Sequence, residues 1–198
     1  MNAKQNLYFT HSPKSINMKK ILIGGLVGGI LLFAWQTISF AVANLHDKGQ
    51  AYTPKQDSIL QFLNSSGLEE GTYFMPRLQN ENSSEEMEKF MKEVDGKPWA
   101  QLSYYKAWNL NMGMNMVRGL LANIIIVVGL CWIFAKITNA SFGTYLTASL
   151  IIGLIAFTNG PYTGHIWYPK HDINAYFVDA IVSWGLVGAW LGWWMNRK

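Results

Sequence analysis

The chain has 198 residues, of which 50% are hydrophobic, 14% aromatic and only 14% charged, with a formal net charge of +4. That balance excludes an ordinary water-soluble domain, and the basic residues lie in short segments beside apolar runs, which excludes nucleic acid as the reason for the positive charge. The single cysteine, Cys131, excludes an intrachain disulfide.

Residues 1–18 are polar and show no apolar period, so they predict a flexible tail, with Met18-Lys19-Lys20 reading as a start followed at once by an apolar run. Residues 19–45 contain that run, Ile21 to Ala43, which at 1.5 Å per residue spans a hydrocarbon core of about 30 Å. It exceeds the length of a signal-peptide core, so it reads as an uncleaved signal anchor, with cleavage after Ala41-Val42-Ala43 as the competing reading. Gly24, Gly25, Gly28 and Gly29 form two overlapping G-x-x-x-G patterns, a face on which another helix can approach closely. Packing within the same chain is the first expectation for that face, and homo-oligomerisation the second.

Residues 46–113 change to the composition of a small polar α+β insertion. Thr53 as N-cap with Pro54 at the first position predicts a helix whose apolar stripe is Ile59, Leu60, Phe62 and Leu63, stopped by Gly67. Gly71 to Leu78 reads as an edge strand interrupted by Pro76. A second helix starts at Ser83 or Ser84 with acidic first turns and stops at Asp95-Gly96, and Trp99 to Tyr105 is the partner strand.

Residues 114–198 carry three further apolar helices, at about Met114 to Ala135, Phe142 to Phe157 and Ala175 to Met195. Asn159-Gly160-Pro161 is expected to end the second of these, leaving Tyr162 to Ile173 as a loop. Ser149 with Gly153, and Gly185, Gly188 and Gly192 in the last helix, are further small-residue packing sites. The predicted fold is therefore an all-α membrane bundle of four transmembrane helices with a small extracytoplasmic α+β insertion between helices 1 and 2. Lys4, Lys14, Lys19, Lys20, Lys136, Arg197 and Lys198 flank the spans in segments without any acid, which places both termini in the cytoplasm of a bacterial inner membrane.

Four groups of residues could carry chemistry. Arg118 and Asp179 each lie about a turn inside a span from the same side, so the depth argument makes them an intramembrane charge pair. Met112, Met114 and Met116, with His165 and His171 and with His46 nearby in depth, have the donor types of a Cu(I) site, although i, i+2 spacing on a helix spreads side chains apart. His165, Trp167, Tyr168, His171 and Asp172 form a loop cluster lacking any recognisable nucleophile motif. Tyr73, Phe74, Trp99, Tyr104, Tyr105 and Trp108 give the insertion an aromatic surface. Together they favour a non-enzymatic accessory or interaction protein, without cofactor, whose partners are the lipid bilayer and another membrane protein or a second copy. A small ion-coupled transporter using Asp179, and Cu(I) binding, are the alternatives.

Overall fold

The computed structural model describes residues 17–79 and 83–197. The predicted tail lies outside the described residues except for Asn17 and Met18, and Lys198 lies outside them as well. The chain is mostly helical: α1 Met18–Thr37, α2 Gln56–Ser65, β1 Gly71–Met75, α3 Ser84–Val94, β2 Ala100–Tyr104, α4 Met112–Phe134, α5 Phe142–Phe157, α6 Thr163–Trp167 and α7 Ile173–Asn196. Four continuous helical stretches, Met18–Val42, Met112–Phe134, Phe142–Trp167 and Ile173–Asn196, are long and apolar enough to cross a membrane.

Local signals account for the helix ends. The Asn17 side chain accepts from Lys20 N at 3.1 Å and starts α1, and Ser141 with Thr144 forms a reciprocal capping box at the head of α5. The third span differs from the sequence expectation. Asn159-Gly160-Pro161 does not end it; a π-helical turn, Thr158–Tyr162, carries the helix through Pro161 into α6, so the loop shrinks to residues 168–172. The wider turn accommodates a ring that has no N–H and would crowd the previous turn of an α-helix, and at its end the Thr158 carbonyl accepts from both the Thr163 N–H and the Thr163 hydroxyl, the latter at 2.7 Å.

The spans pack as antiparallel neighbours in the order α4, α1, α7, α5. Trp194 Nε1 donates to Lys20 O at 2.8 Å and Trp190 Nε1 to Gly24 O at 3.0 Å, so the start of α1 and the finish of α7 share one end, here the terminal end. Small residues set the separations. A Cβ on Gly25 would fall 2.7 Å from Val128 Cα, and one on Gly29 2.5 Å from Ile124 Cα, so these two glycines seat α1 against the backbone of α4. Gly24 and Gly28 lie instead against Trp194 and against Val127 and Trp190. Between α5 and α7, Gly153 meets Ala180 O and Trp184, Gly188 meets Ser149 and Leu146, and Gly192 meets Phe142; Gly185 has only Leu150, at 3.7 Å. The core combines Ile21 and Leu32 of α1 with Val127, Leu130, Cys131 and Phe134 of α4, Tyr145 of α5 and Trp184, Val187 and Leu191 of α7. Asn123 Nδ2, buried, also donates to Gln36 Oε1 at 2.7 Å, joining α4 to α1.

Residues Tyr52–Asn111 make a second compact unit. Residues 46–51, polar by composition, group with the helices, because His46 is inserted among them. In the second unit β1 pairs antiparallel with β2, Gly71 opposite Tyr104 and Met75 opposite Ala100, and β1 stops before Pro76, which has no N–H to donate. Phe74 meets Trp99 with ring centroids 5.5 Å apart, and Tyr104 is buried. Lys106 N reaches Glu70 at 2.8 Å and Lys106 Nζ reaches Glu69 at 2.6 Å, and the hydrogen bond to Glu69 raises the ammonium above its ordinary pKa. Thr53 accepts from Lys55 N at 3.3 Å but α2 itself begins at Gln56, so the capping signal acts one turn ahead of the helix proper. Gly67 and Gly96 adopt φ of +73° and +69° just beyond α2 and α3, the left-handed region in which glycine carries no Cβ penalty. Ser83 caps α3 through Glu86 N.

Candidate functional site

The densest polar cluster in the helical unit lies at the end opposite the termini, the distal end, and it centres on His46. After α1 the helix widens into a π-turn, Ile38–Val42, and Asn44, at φ 49°, reverses the chain. Asparagine tolerates that left-handed geometry. The reversal returns His46 into the structure, where Phe40 stacks on its ring at 3.8 Å and 5° and Tyr176 meets it edge-on at 4.6 Å. His46 is 2% exposed.

Both ring nitrogens face carboxylates of α7. Nδ1 lies 2.8 Å from Asp172 Oδ2 and Nε2 lies 3.0 Å from Asp179 Oδ2. The two aspartates are two turns apart, so a helix of 3.6 residues per turn places them on one face with Tyr176 between them. Asp179 Oδ1 accepts from Trp35 Nε1 at 2.9 Å, and the Ser183 hydroxyl donates to the Asp179 carbonyl. Asp172 is the N-cap residue of α7, yet its carboxylate turns to His46 and makes no capping bond. Gly49 permits this: a Cβ there would lie 2.6 Å from Asp172 Cγ and Oδ2, so a larger residue would push the carboxylate away.

The geometry constrains the protons. An ionised carboxylate only accepts, and a neutral imidazole has one N–H. Two simultaneous N···O hydrogen bonds form only when the ring or a carboxyl carries one further proton, and in either case the three side chains together keep a net negative charge. The Trp35 N–H offsets part of that charge, and Lys170, whose ammonium lies 5.3 Å from the centre of the Tyr176 ring, is a nearby cation. A buried acid of this kind is costly alone and tolerable when paired and hydrogen-bonded.

The structure does not bring Arg118 and Asp179 together. Among the described residues no ion pair joins them; Arg118 is exposed on α4, and α1 lies between α4 and α7. The depth argument does not address helix order, on which neighbourhood depends, and the carboxylate is met by His46 and Trp35. Met112, Met114 and Met116 are exposed at the start of α4, His171 is exposed, and His165 Nδ1 accepts from Lys170 N at 2.9 Å. Among the described residues no three His, Cys, Asp or Glu side chains gather as a metal site. His46 as the partner of Asp179 escaped sequence reasoning; the signal that could have found it is the seven-residue spacing of Asp172 and Asp179.

No family model, curated protein or solved structure matches this chain. Its four apolar helices are compatible with an integral membrane protein. Chemically, the His46 cluster is a hydrogen-bonding network in which both imidazole nitrogens are engaged. It fastens the exit of α1 to the start of α7.

Proposed function

We propose that the chain is an integral protein of a bacterial inner membrane, with both termini in the cytoplasm, acting as a non-enzymatic accessory or interaction subunit that presents residues 52–111 outside. The sidedness rests on the charge pattern: Lys19, Lys20, Lys136 and Arg197 lie at one end of the spans in segments without acids, while every Asp and Glu but Asp179 belongs to the insertion or to the distal loops. One observation carries the interaction role. The 52–111 unit leaves Tyr52, Phe62, Tyr105 and Trp108 exposed, Trp108 at 84%, and the apolar stripe of α2, including Ile59 and Leu60, is open rather than packed. Large aromatic side chains left uncovered in a small unit are the usual anchors of a protein interface. The bilayer and another membrane protein or a second copy are its partners, and no cofactor is involved.

A photo-reactive phenylalanine analogue placed at position 62 or 108 in cells is expected to give one discrete protein adduct from both positions. The same analogue at position 30, on the exposed side of α1, should give none of that species. Absence of any protein adduct at 62 and 108 would overturn the role. The second reading, ion-coupled transport at Asp179, is favoured by a carboxylate in an apolar span set against an imidazole. It would gain if Asp179→Asn abolished solute or ion uptake into vesicles while membrane abundance stayed normal.

A further inference from the structure

We propose that the terminal end of the helices binds the phosphate headgroup of an anionic phospholipid, gripped by Lys19, Lys20 and Arg197. Two cavities open there, of about 520 and 450 Å³, and Asn17, Lys20 and Arg197 line both. The smaller one adds Lys19 together with Ile23 and Trp194, so three basic residues and two apolar ones line it. The larger continues between Met195 and the link from α4 to α5, where Asn139 and Tyr145 add polar groups.

The chemistry of this end is that of an anion receptor. No Asp or Glu side chain occurs in residues 1–20, 135–141 or 193–198. The positions of the cations are also constrained. Lys20 Nζ donates to the Arg197 carbonyl, and the Arg197 guanidinium lies over the Trp193 ring, 4.0 Å from its centre, which keeps it at the helix end. Trp194, fixed by its bond to Lys20 O, forms the wall below.

A free phosphate would use the cations and leave the wall idle. A lipid uses both, since its phosphodiester meets Lys19, Lys20 and Arg197 while the glycerol and first methylenes run along Ile23 and Trp194. A choline or ethanolamine headgroup would bring its own cation to an already basic pocket, so the ligand class is a phospholipid with net negative charge. Basic pockets between helix ends at the membrane surface recognise such headgroups. The site needs the helices to cross a bilayer, but it needs neither the sidedness nor the partner argued above.

The test is native mass spectrometry of the full chain released from nanodiscs that contain equal amounts of phosphatidylglycerol and phosphatidylcholine. Retention of one phosphatidylglycerol is expected, with roughly a fivefold loss of preference for each of Lys20→Gln and Arg197→Gln. Lys136→Gln serves as the control: its ammonium lies over the Trp132 ring and lines neither cavity, so the preference should survive. Equal retention of both lipids, or an equal loss in Lys136→Gln, would overturn the site in favour of diffuse surface charge. Displacement of the lipid by millimolar inorganic phosphate would reassign it to a free anion. Thermal unfolding of each variant, expected to be unchanged, separates loss of the site from loss of the fold.

Discussion

His46→Ala should lower the thermal stability of the detergent-solubilised protein more than any other single polar substitution at the distal end, by about 3 kcal/mol, the scale for breaking one side of a buried ion pair. Without the imidazole, Asp172 and Asp179 lose the ring nitrogens at 2.8 and 3.0 Å that hold them, while Trp35 still donates to Asp179. The two carboxylates are largely buried, at 9% and 15% exposure, so solvent cannot fully replace the lost partner. Adding Asp172→Asn and Asp179→Asn to the His46→Ala background should recover much of the loss, because the stranded charges disappear with it. Independent, additive losses would show that the three groups do not act as a unit. Gly49→Ala should move in the same direction as His46→Ala, since its methyl group would stand 2.6 Å from the Asp172 carboxylate and displace it.

Gly29→Ala is the second large effect, and Gly129→Ala is its built-in comparison. The new methyl at position 29 would stand 2.5 Å from Ile124 Cα and 2.7 Å from Ile124 N, backbone atoms that cannot rotate away. Helices α1 and α4 must separate, weakening the Gln36–Asn123 bond and the packing of Val127 and Leu130. A loss of about 2 kcal/mol is expected, within the range for overpacking a tight interface. At Gly129 nothing lies within 4 Å of an added Cβ, so the same chemical change should stabilise the helix by up to about 1 kcal/mol. Melting temperatures of the two variants in one detergent decide the matter. Equal shifts would mean that helix propensity, and not the approach of α1 to α4, governs both positions.

The parts of this fold legible in the sequence are those governed by local rules. Apolar runs of sufficient length marked α1, α4, α5 and α7, Ser83 marked the head of α3, and Gly67 and Gly96 marked helix ends. Pro161 misled because a proline inside a helix has two outcomes, a stop or a widened turn, and here the π-turn Thr158–Tyr162 carries the helix onward. The candidate site was half legible. Asp179 stood out as an acid in an apolar run, but its partner is chosen by a chain reversal at Asn44 and by the position of α1 between α4 and α7. Neither leaves a periodic trace. Arg118 was the nearest cation in depth, yet a histidine in the polar stretch just beyond α1 took the place, with Phe40 and Tyr176 supplying its walls.

Labelling of single cysteines in intact cells with a membrane-impermeant maleimide tests the central claim, a chain anchored by four spans that displays residues 52–111 outside. The native chain is the blank, because its one cysteine, Cys131, is buried. Ser65→Cys, at the exposed end of α2, should label before the membrane is opened, whereas Thr138→Cys, in the exposed link between α4 and α5, should label only afterwards. Labelling of Thr138→Cys in intact cells with protection of Ser65→Cys would invert the orientation and contradict the display of the insertion to an outside partner.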